Sequence, residues 1–218
     1  TFQGITHDWQ QIVIFLSIAS MLLASFAGIG QRSVKRLIAY SSIGHVGFAL
    51  VGLSSGTQVG VEGVAIYMAI YVIMTVGLFA CVLSLRTNGG YVENIADMAG
   101  VAQKRPFVAA IMAITMFSLI GMPPLAGFFA KWHAFLAAID AQLYVLAVIG
   151  VLASAVSAFY YLRIIKVMYF DEPTREFEAV PAELNIIMAV SGLLVVTYYL
   201  TVGAPLANFA HVAAGSLF

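Results

Sequence analysis

Six stretches of this chain, near residues 9–29, 37–55, 63–85, 106–139, 141–165 and 184–205, run for 18 residues or more almost without charge. Nothing else limits the fold so tightly, because about 20 helical residues at 1.5 Å rise cross roughly 30 Å of hydrocarbon. Lipid offers a backbone amide no partner, so each run must pair its own N–H and C=O groups as a helix, and the alternating pattern of a membrane barrel is absent. The expected class is an all-α integral membrane protein with six transmembrane helices. Residues 1–168 hold the first five, 169–183 form a loop, and 184–218 form the sixth helix with a tail. Composition agrees: 62% of residues are hydrophobic and 9% charged, against roughly 45–50% and about 25% in soluble domains.

Ten Lys and Arg balance ten Asp and Glu, and with no basic tract or acidic tail no nucleic-acid partner is expected. The placement of the cations is more telling. Arg32, Lys35, Arg36, Arg86, Lys104, Arg105, Arg163, Lys166 and Arg175 all lie in or beside the connections after helices 1, 3 and 5. The opposite connections carry none. The positive-inside rule puts the basic side in the cytoplasm or matrix and both ends of this stretch outside. The longest connection, 86–105, reads as a solvated loop with a short interfacial helix, and the acidic, proline-containing 170–183 as a wet connector. A lone cysteine, Cys81, excludes a disulfide framework and a cysteine-held metal or cluster.

The remaining cation, Lys131, sits in "SLIGMPPLAGFFAKWHAF" (118–135). The segment 106–139, as one helix of 34 residues, would run about 50 Å, far beyond the bilayer core. Pro123 and Pro124 lack N–H groups and clash with carbonyls four residues earlier, and a residue before proline is driven out of α conformation. A kink that only shapes packing satisfies these residues, as does a true break. A break at membrane depth is tolerated where freed carbonyls are buried in protein or line a wet cavity, as at transporter ion sites. The lysine favours the second reading. It lies about eight residues, roughly 12 Å, below the outer end of its segment. A lysine at mid-helix costs about 2.5–3.5 kcal/mol on insertion scales and usually marks an ion pathway; the plainer reading is a side chain snorkelling to the interface. A desolvated lysine can take and release a proton.

His45, within "AYSSIGHVGF", lies mid-helix among Ser41, Ser42, Gly44 and Gly47. Histidine suits proton relay, while small and hydroxyl residues also serve helix packing, so an interhelical hydrogen bond is the competing role. Tyr67 and Tyr71, four apart, line a path or simply pack. His133, two residues from Lys131, points to another helix face. Glu62 and Asp140 stand at segment ends as interfacial anchors. No phosphate loop, His/Cys metal cluster, Ser/His/Asp set or haem ligand pair occurs, so no cofactor is expected in this chain.

Three stretches, "KRLIAYSSIGHVGFAL" (35–50), "SLIGMPPLAGFFAKWHAF" (118–135) and "AFYYLRIIKVMYFDEP" (158–173), resemble the C-terminal part of the antiporter-like, proton-translocating membrane subunits of respiratory complex I, the NADH-quinone oxidoreductase. The N-type branch is the nearest: the M-type is expected to carry glutamate at the position of Lys131, and the L-type a long lateral helix after its last spans. The resemblance implies two inverted five-helix repeats, each with a broken fourth helix, of which helices 1–5 here are one and the other is missing, so a fragment of a longer subunit or a companion chain is expected. It implies proton passage through Lys131 and a polar axis that includes His45, with Tyr71, Tyr67, His133, Pro123 and Pro124 in support. NADH, flavin, iron–sulfur clusters and quinone are implied in partner subunits only. Implied partners are the other membrane subunits and the lipid bilayer, and the implied location is the bacterial inner membrane, with the mitochondrial inner membrane as alternative. Multisubunit cation/proton antiporters and membrane-bound hydrogenases use the same module, and a purely structural anchor is the reading from another class.

Overall fold

Each apolar run becomes helix. A computed structural model describes residues 6–87 and 90–217. Its helices are α1 (Thr6–Ile29), α2 (Val34–Leu53), α3 (Gln58–Ser84), α4 (Val101–Lys104), α5 (Pro106–Ile120), α6 (Ala126–Asp140), α7 (Tyr144–Phe170), α8 (Ala182–Thr201) and α9 (Gly203–Gly215). Five of them, α1 from Trp9 onward, α2, α3, α7 and α8, are long and apolar enough to cross a membrane. The protein is an all-α, multi-pass membrane protein. Local chemistry sets several limits: the Thr57 side chain accepts the Gly60 amide at 3.1 Å and so starts α3 ahead of the expected 63, and Pro106 occupies the first position of α5, where no amide is needed. Glu62 consequently lies inside the first turns of α3 and Asp140 closes α6, both still at helix ends.

The stretch 106–139 is not one span. It is two 15-residue helices, α5 and α6, separated at Gly121–Leu125, each about 22 Å long at 1.5 Å per residue. This is the break that the two prolines and Lys131 favour; the difference from expectation is at the C-terminal end. A single span over 184–205 with a tail was expected, whereas α8 stops at Thr201 and a separate α9 follows. Pro205 explains this, since in a continuing α8 it would leave the Thr201 carbonyl without a donor, while in the first turn of α9 its missing N–H is harmless. α9 lies against α3 and buries Ala210 and Ala214, with His211 Nδ1 3.0 Å from Glu62 Oε2.

α3 is the hub, packed by α2, α5, α6, α8 and α9, while α1 pairs with α2 and α7. Small residues let backbones close in: a Cβ on Gly47 would stand 3.0 Å from the Met21 amide, and the Ser17 hydroxyl donates to the Gly47 carbonyl at 2.7 Å. Ser25 of α1 meets Ser157 of α7 at 2.9 Å. The outer surface stays apolar, with Phe15, Phe26, Leu152, Leu193 and Leu200 exposed, as lipid contact requires.

All the basic connections gather at one end of the bundle. The Val34 amide donates to the Glu93 carbonyl and the Ile95 amide to that of Arg32, both at 2.9 Å. Arg163 of α7 caps the end of α1 through the carbonyls of Ile29 and Gln31. Here two expectations are corrected. The described part of the connection 86–105 holds two paired antiparallel strands of two residues each (β1 Arg86–Thr87, β2 Gly90–Tyr91, pairing Arg86 with Tyr91 and Thr87 with Gly90), a 3-10 turn at Ile95–Met98 and the single turn α4. It is only partly solvated, because Val92, Ile95, Met98 and Val101 join the core. The acidic connector is strapped down as well: Arg105 donates to the carbonyls of Phe177 and Glu178, Lys104 pairs with Glu176 and Arg175 with Asp97.

Candidate functional site

The helix break creates the site. α5 ends with Gly121 in the left-handed region (φ 97°, ψ 38°), whose amide donates to Ser118 at 2.9 Å while the Met122 amide reaches back to Phe117 at 3.1 Å. This Schellman closure satisfies the carbonyls of Phe117 and Ser118. The next two, Leu119 and Ile120, would in a continuous helix accept from residues 123 and 124, which are the two prolines. The Ile120 carbonyl is taken instead by the Lys131 ammonium at 2.9 Å. On the far side of the break the Ser118 hydroxyl accepts the Gly127 amide at 2.9 Å, splicing the start of α6 onto the end of α5. The prolines themselves lie exposed at the step.

Lys131 is 7% exposed, so it does not snorkel to the interface. Besides Ile120, its Nζ donates to the Ser154 hydroxyl of α7 at 2.7 Å and lies 4.6 Å from the centroid of the Phe48 ring. Among the described residues, the six ion pairs leave Lys131 without a carboxylate partner. What holds its charge is a set of dipoles: the carbonyl end of α5, where the helix dipole is negative, the hydroxyl, and the ring quadrupole, worth about 0.5–2 kcal/mol. These partners differ in what they permit. A carbonyl only accepts, whereas a hydroxyl accepts from the ammonium and donates to the neutral amine. Ser154 Oγ already lies 3.3 Å from the Ile120 carbonyl as its alternative acceptor. A cleft of about 370 Å³ between α5–α6 and α7, lined by Gly121, Phe128, Lys131, Trp132, Phe135 and Ser154, leads from this pair to the outside of the chain, where Trp132 is 53% exposed.

His45, 4% exposed on α2, is the centre of a second group. Its Nδ1 lies 2.8 Å from the Tyr67 hydroxyl of α3 and its Nε2 3.1 Å from the Tyr161 hydroxyl of α7. Tyr161 is also hydrogen-bonded to Ser41. The Tyr71 ring stacks on the imidazole at 5.0 Å, and its hydroxyl donates to Ser42 at 2.7 Å. A neutral imidazole has one donor and one acceptor nitrogen, so one tyrosine donates to it and the other accepts. Ser41, Tyr161, His45 and Tyr67 are thus one continuous hydrogen-bonded chain across three helices.

Tyr67 and Tyr71, expected together, converge on His45. His133 does not join either group; its Nδ1 donates to the Phe129 carbonyl of its own helix at 2.7 Å. Sequence reading missed Ser154, Tyr161 and Phe48. The first two carried a signal, since Ser154, Ser157 and Tyr161 form a polar stripe at i, i+3, i+7 on a helix that is otherwise apolar from Val145 to Phe159. Phe48 carried none, being one more aromatic in a membrane span. Among the described residues no group of three or more His, Cys, Asp or Glu is placed to hold a metal ion.

The family profile described as "NADH:quinone oxidoreductase/Mrp antiporter, TM" matches residues 1–157. The chain is 58% identical over 218 residues to NADH-quinone oxidoreductase subunit N 1 of Rhizobium meliloti (strain 1021), covering all of this chain and 45% of that protein, and 57% identical to subunit N of Beijerinckia indica, again over 45% of its length. It therefore spans a little under half the length of these relatives. Among solved structures it resembles a chain of respiratory complex I from Thermus thermophilus (TM-score 0.80, 28% identity, 90% of this chain and 44% of that one). A chain of the Mrp complex from Dietzia sp. DQ12-45-1b shares the fold (TM-score 0.88, 19% identity, 99% and 48%). The chain belongs to the NADH:quinone oxidoreductase/Mrp antiporter transmembrane family, on the branch of the antiporter-like N-type subunits of complex I.

Proposed function

We propose that this chain carries protons part of the way across the membrane, with Lys131 as the site that loads and releases them and the His45 group as the relay that feeds it. The carrying observation is a buried lysine that, among the described residues, has no carboxylate partner and is held at a helix break by a carbonyl and a hydroxyl. A charge placed so is stable only while dipoles compensate it, and the neutral form keeps a donor in Ser154, so both charge states have partners. The driving energy comes from NADH:quinone electron transfer in partner subunits that hold the flavin, iron–sulfur and quinone chemistry. α1 to α7, within residues 1–168 and a little beyond, act as one five-helix repeat with α5 and α6 as its broken fourth helix; 169–183 is the cytoplasmic-side connector and 184–218 a C-terminal helical unit. The basic end faces the cytoplasm of a bacterial inner membrane, and the apolar exterior meets lipid and other membrane subunits.

The test uses the assembled complex in liposomes, with proton uptake followed during NADH oxidation. Lys131→Ala is expected to lower the number of protons moved per electron. An unchanged ratio would favour a structural anchor, in which the polar residues are only glue between helices.

A further inference from the structure

The two polar groups are not joined. Both ring nitrogens of His45 are occupied by Tyr67 and Tyr161, and Lys131 Nζ is occupied by Ile120 and Ser154. The side chain that touches both groups is Phe48, one helical turn after His45 on α2 and 3% exposed. Its ring meets the imidazole edge-on at 6.0 Å, takes the Lys131 ammonium on its face at 4.6 Å, and abuts Phe135 at 6.1 Å. Protons move along hydroxyls, ring nitrogens, amines and water. A phenyl ring offers none of these, so where it stands the path is cut.

We infer that Phe48 is a gate between the His45 group and Lys131, and that the charge on Lys131 operates it. This rests on the proton-carrying role proposed for those two groups. The attraction between the ring face and the lysine exists only for the ammonium, because a neutral amine has no charge for the ring quadrupole to bind. Loaded with a proton, Lys131 therefore holds the ring in the closed position and cannot return the proton to His45. Its remaining proton-carrying contact is Ser154, at the head of the cleft, so release runs that way. Once the amine is neutral the ring is no longer held, and it is free to turn away from Lys131 beside Phe135, which borders the cleft. Water then bridges the gap; the His45 group, having first taken up a proton as imidazolium, passes it to the amine and returns to neutral, and the restored charge recaptures the ring.

The gate is tested in the assembled complex carrying the full-length subunit, reconstituted in liposomes. Two quantities are read: decay of an imposed pH gradient with no NADH present, and protons moved per electron during turnover. Phe48→Ala, which opens the gap, and Phe48→Tyr, which keeps the ring volume but adds a proton-carrying hydroxyl, are each expected to raise the passive leak several-fold and lower the ratio. Phe48→Leu fills the space without a ring face and is expected to lower the ratio with a smaller leak. Adding Lys131→Ala should abolish the extra leak. Wild-type leak and ratio in assembled Phe48→Ala and Phe48→Tyr complexes, alongside a lowered ratio in Lys131→Ala, would overturn the gate and leave the proton-carrying role standing. A leak that persists after Lys131→Ala would mean loosened packing, and also overturns the gate. A normal ratio in Lys131→Ala alone would overturn both.

Discussion

Gly121 forms the wall of the Lys131 stem: a Cβ added there would stand 3.1 Å from Lys131 Cδ and 3.7 Å from Nζ. Its φ of 97° is in the left-handed region that closes α5, where a residue with a Cβ costs about 1–2 kcal/mol. Gly121→Ala is therefore expected to lower stability by about that amount and to push the ammonium off the Ile120 carbonyl. Thermal unfolding and proton-to-electron ratio of the purified complex measure the two effects. Gly121→Asn separates them, since asparagine tolerates this conformation yet still crowds the lysine: most of the stability should return and the ratio should not. A normal ratio in both variants would show that Lys131 does not depend on this wall.

The two prolines make unequal predictions. Pro124→Ala restores the amide that a helix continued past Gly121 would offer the Ile120 carbonyl in competition with Lys131, whereas Pro123→Ala restores the one it would offer Leu119, which Lys131 does not use. A hydrogen bond to a charged group contributes about 1.5–3 kcal/mol, so diverting it in Pro124→Ala should lower proton uptake per electron clearly. Pro123→Ala should keep most of it. Equal losses in both would mean that the break matters only for packing.

Tyr161 and Tyr67 each satisfy one nitrogen of His45, but Tyr161 also serves Ser41. Removing either hydroxyl leaves a buried polar atom unpaired, at about 1–3 kcal/mol. Tyr161→Phe is thus expected to destabilise more than Tyr67→Phe and to slow proton uptake at least as much. Unfolding curves of the two single variants decide the order, and the reverse order would contradict the hydrogen-bonded chain drawn through His45.

Much of this was legible in the residues. Long uncharged runs leave helix as the one way to pair a backbone in lipid, so α1, α2, α3, α7 and α8 fall close to the expected limits. The break was legible because proline acts on its own backbone, and Lys131 and His45 because polar groups stand out in apolar helices. What was not legible depends on distance across the fold. Ser154 lies 23 residues from Lys131 in sequence and is one of two serines in α7; which of them faces the lysine is decided by how α6 and α7 pack. Phe48 has no polar atom to draw attention, and its meaning comes from what flanks it. α9 is hidden in the sequence because its composition is that of a span, and Pro205, three residues into it, is the one local mark of a new helix start.

The most direct measurement of the central claim is proton uptake per electron by the assembled complex carrying Lys131→Arg. Arginine keeps the charge and can still donate to Ile120 and Ser154, but with a pKa above about 12 it cannot release its proton. If Lys131 cycles between charged and neutral states, the complex should assemble while its proton-to-electron ratio falls as far as in Lys131→Ala. An arginine variant that assembles and moves protons at the normal ratio would show that deprotonation at this position is unnecessary, and the account built on it would be wrong.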